Sequence, residues 1–66
     1  MQIRLNGELH ACAEGTTLAD LITTLQLTGK RIAVELNGEI APRSRHPDIV
    51  LAANDRVEIV HAIGGG

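Results

Sequence analysis

The 66-residue chain contains no Phe, Tyr or Trp. Its core must therefore be assembled from Leu, Ile, Val and Ala. About ten such residues, at roughly 1.5–3 kcal/mol each, give a thin but workable driving force for folding. Cysteine is nearly absent as well. Cys12 stands alone, which excludes an internal disulfide and fits a reducing compartment. Neither sign of charge dominates: six Lys and Arg oppose eight Asp and Glu, for a net charge of -2, mixed along the chain. That balance leaves no basic footprint for nucleic acid and no attraction to a membrane surface. No apolar run is long enough to span a bilayer, and "MQIRLNGELH" lacks the apolar stretch of a signal peptide. The expectation is one soluble, cytoplasmic domain. A domain of this size buries only about 60% of its unfolded surface.

What is present is regular alternation. Met1, Ile3 and Leu5 point one way and Gln2 and Arg4 the other, the period of a half-buried strand. Asn6-Gly7 follows, a strong hairpin signal because both residues tolerate positive φ. Leu9, Ala11 and Ala13 are expected to continue the apolar face on a second strand. The period then changes. Leu18, Leu21, Ile22 and Leu25 fall on one helical stripe, with Thr17 and Asp20 spaced as a capping box and Gly29 expected just past the helix end. Ile32, Val34 and Leu36 return to alternation, Asn37-Gly38 repeats the hairpin signal, and Ile40-Ala41 forms a short return strand that Pro42 stops. The segment 42–55 reads as loop, although Ile49, Val50 and Leu51 must bury something. Val57 and Ile59 share one face of a last strand, with Glu58 and Val60 on the other. The expected architecture is α+β: a mixed sheet of four or five strands with one amphipathic helix packed on one face. The first and last strands lie near the centre, joined in parallel by a right-handed crossover.

Reactive constellations are scarce. Cys12 lies between Ala11 and Ala13, a small apolar setting that suits a structural thiol. His10, His46 and His61 show no zinc-site spacing with it, so no metal site is expected. Arg43, Arg45 and His46 in "PRSRH" could meet an anion or a partner, but a solvated loop is the simpler expectation. Paired acids for acid-base catalysis are not visible, and no glycine motif for a nucleotide is present. The residues point to no enzyme and no bound cofactor.

The chain closes on Gly64, Gly65 and Gly66. A frayed terminus needs no reason, but a backbone without side chains can also thread a slot too narrow for a Cβ atom. The atom it delivers is a terminal carboxyl carbon. At neutral pH that group is a carboxylate and a poor electrophile, so a partner must activate it, most simply with ATP.

Four stretches together carry a resemblance: "MQIRLNGE", "CAEGTTLADLI", "VELNGEIAPR" and "NDRVEIVHAIGGG". Over essentially the whole chain they resemble the ubiquitin-like β-grasp family and, within it, the small sulfur carriers of thiamine biosynthesis. The resemblance implies a β-grasp domain over residues 1–63 and a flexible glycine tail over 64–66. It implies that Gly66 is adenylated by a ubiquitin-activating-like enzyme that uses ATP. A sulfur donor, a cysteine desulfurase or similar, would convert it to a thiocarboxylate that thiazole synthase consumes. Gly64 and Gly65 would serve threading. A docked partner would also have to hold the sheet while the tail reaches its active site, which makes the uncovered face around Val60 the expected partner surface. Other readings stay open on the residues alone: the small subunit of molybdopterin synthase, a protein modifier joined through Gly66, or a binding module with an inert tail.

Overall fold

The computed structural model describes residues 1–61. Its elements, in chain order, are strand β1 (Gln2–Leu5), strand β2 (Glu8–Ala11), helix α1 (Leu18–Thr24), strands β3 (Ile32–Leu36) and β4 (Glu39–Ile40), a 3₁₀ helix (Arg43–Asp48) and strand β5 (Arg56–His61). The five strands form one mixed sheet in the order β2-β1-β5-β3-β4. β5 is central. It runs parallel to β1, with Leu5 beside Val57, and antiparallel to β3, with Val34 opposite Ile59. The β-grasp architecture expected from the sequence is the one observed.

Both Asn-Gly turns adopt the predicted geometry. Asn6 and Gly7 have φ of 51° and 85°, and Asn37 and Gly38 have 52° and 88°. Two consecutive positive φ values define the turn whose twist matches that of the flanking strands. The asparagines also do something the turn does not require. Asn6 Oδ1 accepts from the Ile59 backbone N–H at 2.7 Å, and Asn37 Oδ1 accepts from that of Arg56 at 2.9 Å. One hairpin tip on each side thus clamps the central strand.

Ile3, Leu18, Leu21, Val34 and Val57 are the most deeply buried side chains, and Ile22, Ala41, Leu51 and Ile59 complete the core. The stripe of α1 therefore packs on the sheet face made by β1, β3 and β5. Its start is capped as predicted: Asp20 N–H donates to Thr17 Oγ1 and Thr17 N–H donates to the Asp20 carboxylate, both at 3.0 Å.

Four expectations need correction. The helix does not end at Gly29. It ends at Thr24 with Leu25 as its cap, and Gln26 takes the left-handed conformation (φ 60°). Gln26 N–H donates to the Thr23 carbonyl and Leu27 N–H to that of Ile22, closing the helix with Leu27 packed against the core. This hydrogen-bond pair with its apolar contact can place a non-glycine residue at positive φ. The second strand also has the opposite phase. Ile3 pairs with His10 and Arg4 with Leu9, so Leu9 lies 60% exposed on the outer face while His10 and Cys12 turn half-buried toward the core. A two-residue hairpin loop sets this register, because Leu5 must face Glu8 across it. The segment after Pro42 is a 3₁₀ helix with Pro47 inside it, and His46 is 7% exposed. The imidazole is no solvated side chain: Nε2 donates to the Ala41 carbonyl at 2.9 Å. Finally, Val50 is exposed, while Leu51 is buried. The segment is held by a bridge in which Leu18 N–H meets the Ile49 carbonyl and Leu51 N–H meets that of Thr16.

Candidate functional site

The tail glycines Gly64, Gly65 and Gly66 lie outside the described residues, as do Ala62 and Ile63. The described structure shows what the tail grows from. β5 is bordered by strands on both sides, and its far end, Ile32 opposite His61, is still in register with β3. A segment extending from a central strand starts from a rigid base, because its hydrogen bonds and its two core residues, Val57 and Ile59, would have to move together. His61 itself is exposed at the end of this strand.

Among the described residues, none covers the face of the sheet opposite α1 around Val60 and Ile40. Register places Val60 beside Ala33, Glu58 beside Glu35, and Ile40 on the far side of Glu35. On the other side of β5, Arg56 neighbours Arg4, which pairs with Leu9. Val60 is 60% exposed and Ile40 65%. Alternation in the sequence had placed Val60 on this face. Ile40 and Leu9 were missed, because the short return strand had no clear phase and the second strand was read one residue out. The like-charged neighbours Glu35 and Glu58 are 23 positions apart in sequence, and only the pairing of β3 with β5 unites them.

The other candidate side chains separate. His10 and Cys12 share a groove between β2 and α1, with Thr16, Asp20 and Leu21 along it. Cys12 is half-buried, packs against the core and exchanges backbone hydrogen bonds with Met1, both at 2.9 Å, which suits its structural reading. His46 instead lines an apolar groove of about 270 Å³ between α1 and the 3₁₀ helix. Arg43 borders the same groove and donates to the Lys30 carbonyl at 2.8 Å, while Arg45 is exposed. "PRSRH" is therefore a set of ties between segments more than one cationic cluster. Among the described residues, no three His, Cys, Asp or Glu side chains gather as a metal site, and no helix is long and apolar enough to cross a membrane.

The model of the ThiS family matches residues 3–66, nearly the entire chain and the glycines with it. The chain belongs to the ThiS family. Similar proteins include the sulfur carrier protein ThiS of Bacillus subtilis, 38% identical over 65 residues, which cover 97% of this chain and 98% of that one. A thiazole synthase of Magnetococcus marinus is 42% identical over all 66 residues, which make up 20% of its length. The chain thus spans a fifth of that larger relative. Among solved structures, the crystal structure of the thiamine biosynthesis protein ThiS from Geobacter metallireducens superposes with a TM-score of 0.86. It is 29% identical, and each chain is covered completely. The ThiS fold is the five-stranded sheet and single helix described above.

Proposed function

We propose that this chain is a sulfur carrier of thiamine thiazole biosynthesis, working through the carboxyl group of Gly66. The observation that carries the reading is the ThiS family match running from the first strand through the last glycine. As a ThiS-family protein the chain is a carrier and not a catalyst. Its relatives bear the names sulfur carrier protein ThiS and thiazole synthase, and the whole chain aligns within the latter. That supports thiazole synthase as the recipient of the sulfur.

The chemistry follows from what a carboxylate can and cannot do. It does not exchange oxygen for sulfur unaided, because oxide is not a viable leaving group. In the proposed sequence, a Gly66 carboxylate oxygen attacks the α-phosphorus of ATP on an adenylating partner, and pyrophosphate departs. The outer sulfur of a persulfide on a sulfur donor, such as a cysteine desulfurase, then adds to the acyl carbon, and AMP leaves with the former carboxyl oxygen. A second thiol attacks the donor sulfur of the resulting acyl disulfide, forming a disulfide with the donor and releasing the thiocarboxylate. Gly64 and Gly65 carry no side chains, so the last residues can enter a narrow channel without a Cβ to obstruct attack. The partner is expected to hold the domain by the uncovered face around Val60 while the tail reaches in. The cytoplasm, where thiols stay reduced, is the compartment that suits such chemistry.

The test is mass spectrometry of the protein after incubation with ATP, the adenylating enzyme and a sulfur donor. The expected product has one oxygen of the Gly66 carboxylate replaced by sulfur. Removing Gly66 displaces the reacting carbon by about 3.5 Å of extended chain. It should abolish loading, since a misplacement of about 1 Å can cost ~10²-fold. Cys12→Ala should load normally. Sulfur found as a persulfide on Cys12, or thiazole formation supported by the chain lacking Gly66, would overturn the reading.

A further inference from the structure

The two hairpin tips share one local sequence, Leu5-Asn6-Gly7-Glu8 and Leu36-Asn37-Gly38-Glu39. Their backbones agree as well, with positive φ at both central residues of each turn. Both tips are exposed, and among the described residues a Cβ on Gly7 or Gly38 would meet no neighbour within 4 Å. Neither glycine nitrogen donates a backbone hydrogen bond to a described residue. Asparagine followed by glycine is chemically vulnerable, because no side chain shields the glycine nitrogen from the Asn amide carbon. What differs between the turns is how each amide is held. Asn6 is held at one end, where its Oδ1 accepts from the Ile59 N–H at 2.7 Å. Asn37 is held at both ends: Oδ1 accepts from the Arg56 N–H at 2.9 Å, and Nδ2 donates to the Asp55 carboxylate at 3.1 Å. Asp55 is itself fixed, its other oxygen accepting from the Ala52 N–H at 2.8 Å.

We propose that Asn6 is a site of spontaneous succinimide formation in the folded protein, and that Asp55 shields Asn37 from the same reaction. The Gly7 nitrogen loses its proton to water or hydroxide and attacks Asn6 Cγ. The new C–N bond closes a five-membered ring. The Cγ–Nδ2 bond breaks, and Nδ2 takes a proton from water and leaves as ammonia. A second water opens the ring at either carbonyl, giving aspartate or isoaspartate at this position. Ring closure requires the amide to swing off its partners toward the glycine nitrogen. Asn6 gives up one neutral hydrogen bond. Asn37 gives up two, and the one to the Asp55 carboxylate is roughly twice as strong as a neutral bond. The Asp55 charge also opposes the anionic nitrogen that must form nearby. The two products at Asn6 differ in consequence. Aspartate keeps an acceptor for the Ile59 N–H. Isoaspartate lengthens the main chain of a two-residue loop, and that loop sets the pairing of β1 with β2. The reaction needs no enzyme and no chemistry at Gly66, so it stands apart from the carrier reading.

The experiment is incubation of the full chain in mildly alkaline buffer, where the backbone nitrogen gives up its proton more readily, followed by peptide mapping with mass spectrometry. Conversion of amide to acid is read separately at each turn, and labelling by an isoaspartate methyltransferase distinguishes the two products. In the folded chain Asn6 is expected to convert about tenfold faster than Asn37, the factor that one hydrogen bond to a charged group supplies. In denaturant the two rates should converge, because the four-residue sequences are identical and only the fold tells them apart. Asp55→Ala, with its folding checked by thermal melting, should raise conversion at Asn37 toward that at Asn6 and leave Asn6 unchanged. The wild-type chain alone can overturn the proposal. Equal rates at the two turns in the folded chain, faster conversion at Asn37, no conversion at Asn6, or rates that stay apart in denaturant would each do so. A folded Asp55→Ala chain in which Asn37 remains slow would remove Asp55 as the shield.

Discussion

The two faces of β5 obey different rules. Toward the helix, Val57 and Ile59 are enclosed with Leu18, Leu21 and Val34. Away from it, Arg56, Glu58 and Val60 stand in the open beside Arg4, Glu35 and Ala33. The inner face is chosen for shape and water exclusion, and any aliphatic of the right volume would serve there. The outer face sets like charges on neighbouring strands and leaves Val60 in water. One strand thus separates residues that hold the fold from residues free to meet something else. The separation works because the side-chain period of a strand is two.

Breaking the inner face should have the largest effect. Leu21→Ala deletes a side chain that is 1% exposed, at the contact of α1 with the sheet. A loss of about 2–5 kcal/mol is expected. Small domains hold only a few kcal/mol in reserve, so chemical denaturation should show a greatly lowered midpoint or no folded baseline. Unchanged melting would contradict the packing described here.

A smaller effect is expected where the faces meet at the hairpin tip. Asn6→Ala removes the acceptor for the Ile59 N–H and places alanine at a φ of 51°. A cost of about 1–3 kcal/mol follows from the orphaned donor and the unfavourable backbone. Hydrogen exchange should quicken most at Ile59. Asn6→Asp, which keeps the acceptor, should recover much of the loss.

The outer face should yield the smallest change in stability and a clear change in binding. Val60→Asp alters a residue that is 60% exposed, so its melting should stay within about ±0.5 kcal/mol of wild type. Binding to the adenylating enzyme should nevertheless fall, and wild-type affinity would remove Val60 from the docking surface. The contrast between Leu21→Ala and Val60→Asp is the sharpest measure of how fully the two faces are separated.

Much of this was legible in the residue order because strands, helices and tight turns leave local signatures. The alternation in β1, β3 and β5, the stripe and capping box of α1 and both Asn-Gly turns depend on neighbours within about four positions. The tail glycines, and with them the expected reacting atom, are likewise a matter of position along the chain. The phase of β2 was not legible, because Leu9, Ala11 and Ala13 look apolar whichever way they face, and the two-residue loop decides which residue meets Ile3. The role of Gln26 at the helix end also escaped, since a glycine three positions on gave the stronger local signal. The burial of His46 is settled by the Ala41 carbonyl and the groove beside α1, neither of which its own neighbours reveal. The meeting of Glu35 with Glu58, and the second task of Asn6 on Ile59, exist only once β5 has inserted between β1 and β3. Side-chain periodicity is a property of the backbone and can be read from a segment alone. A partner across a sheet is chosen by register, and register is set only when the whole core closes.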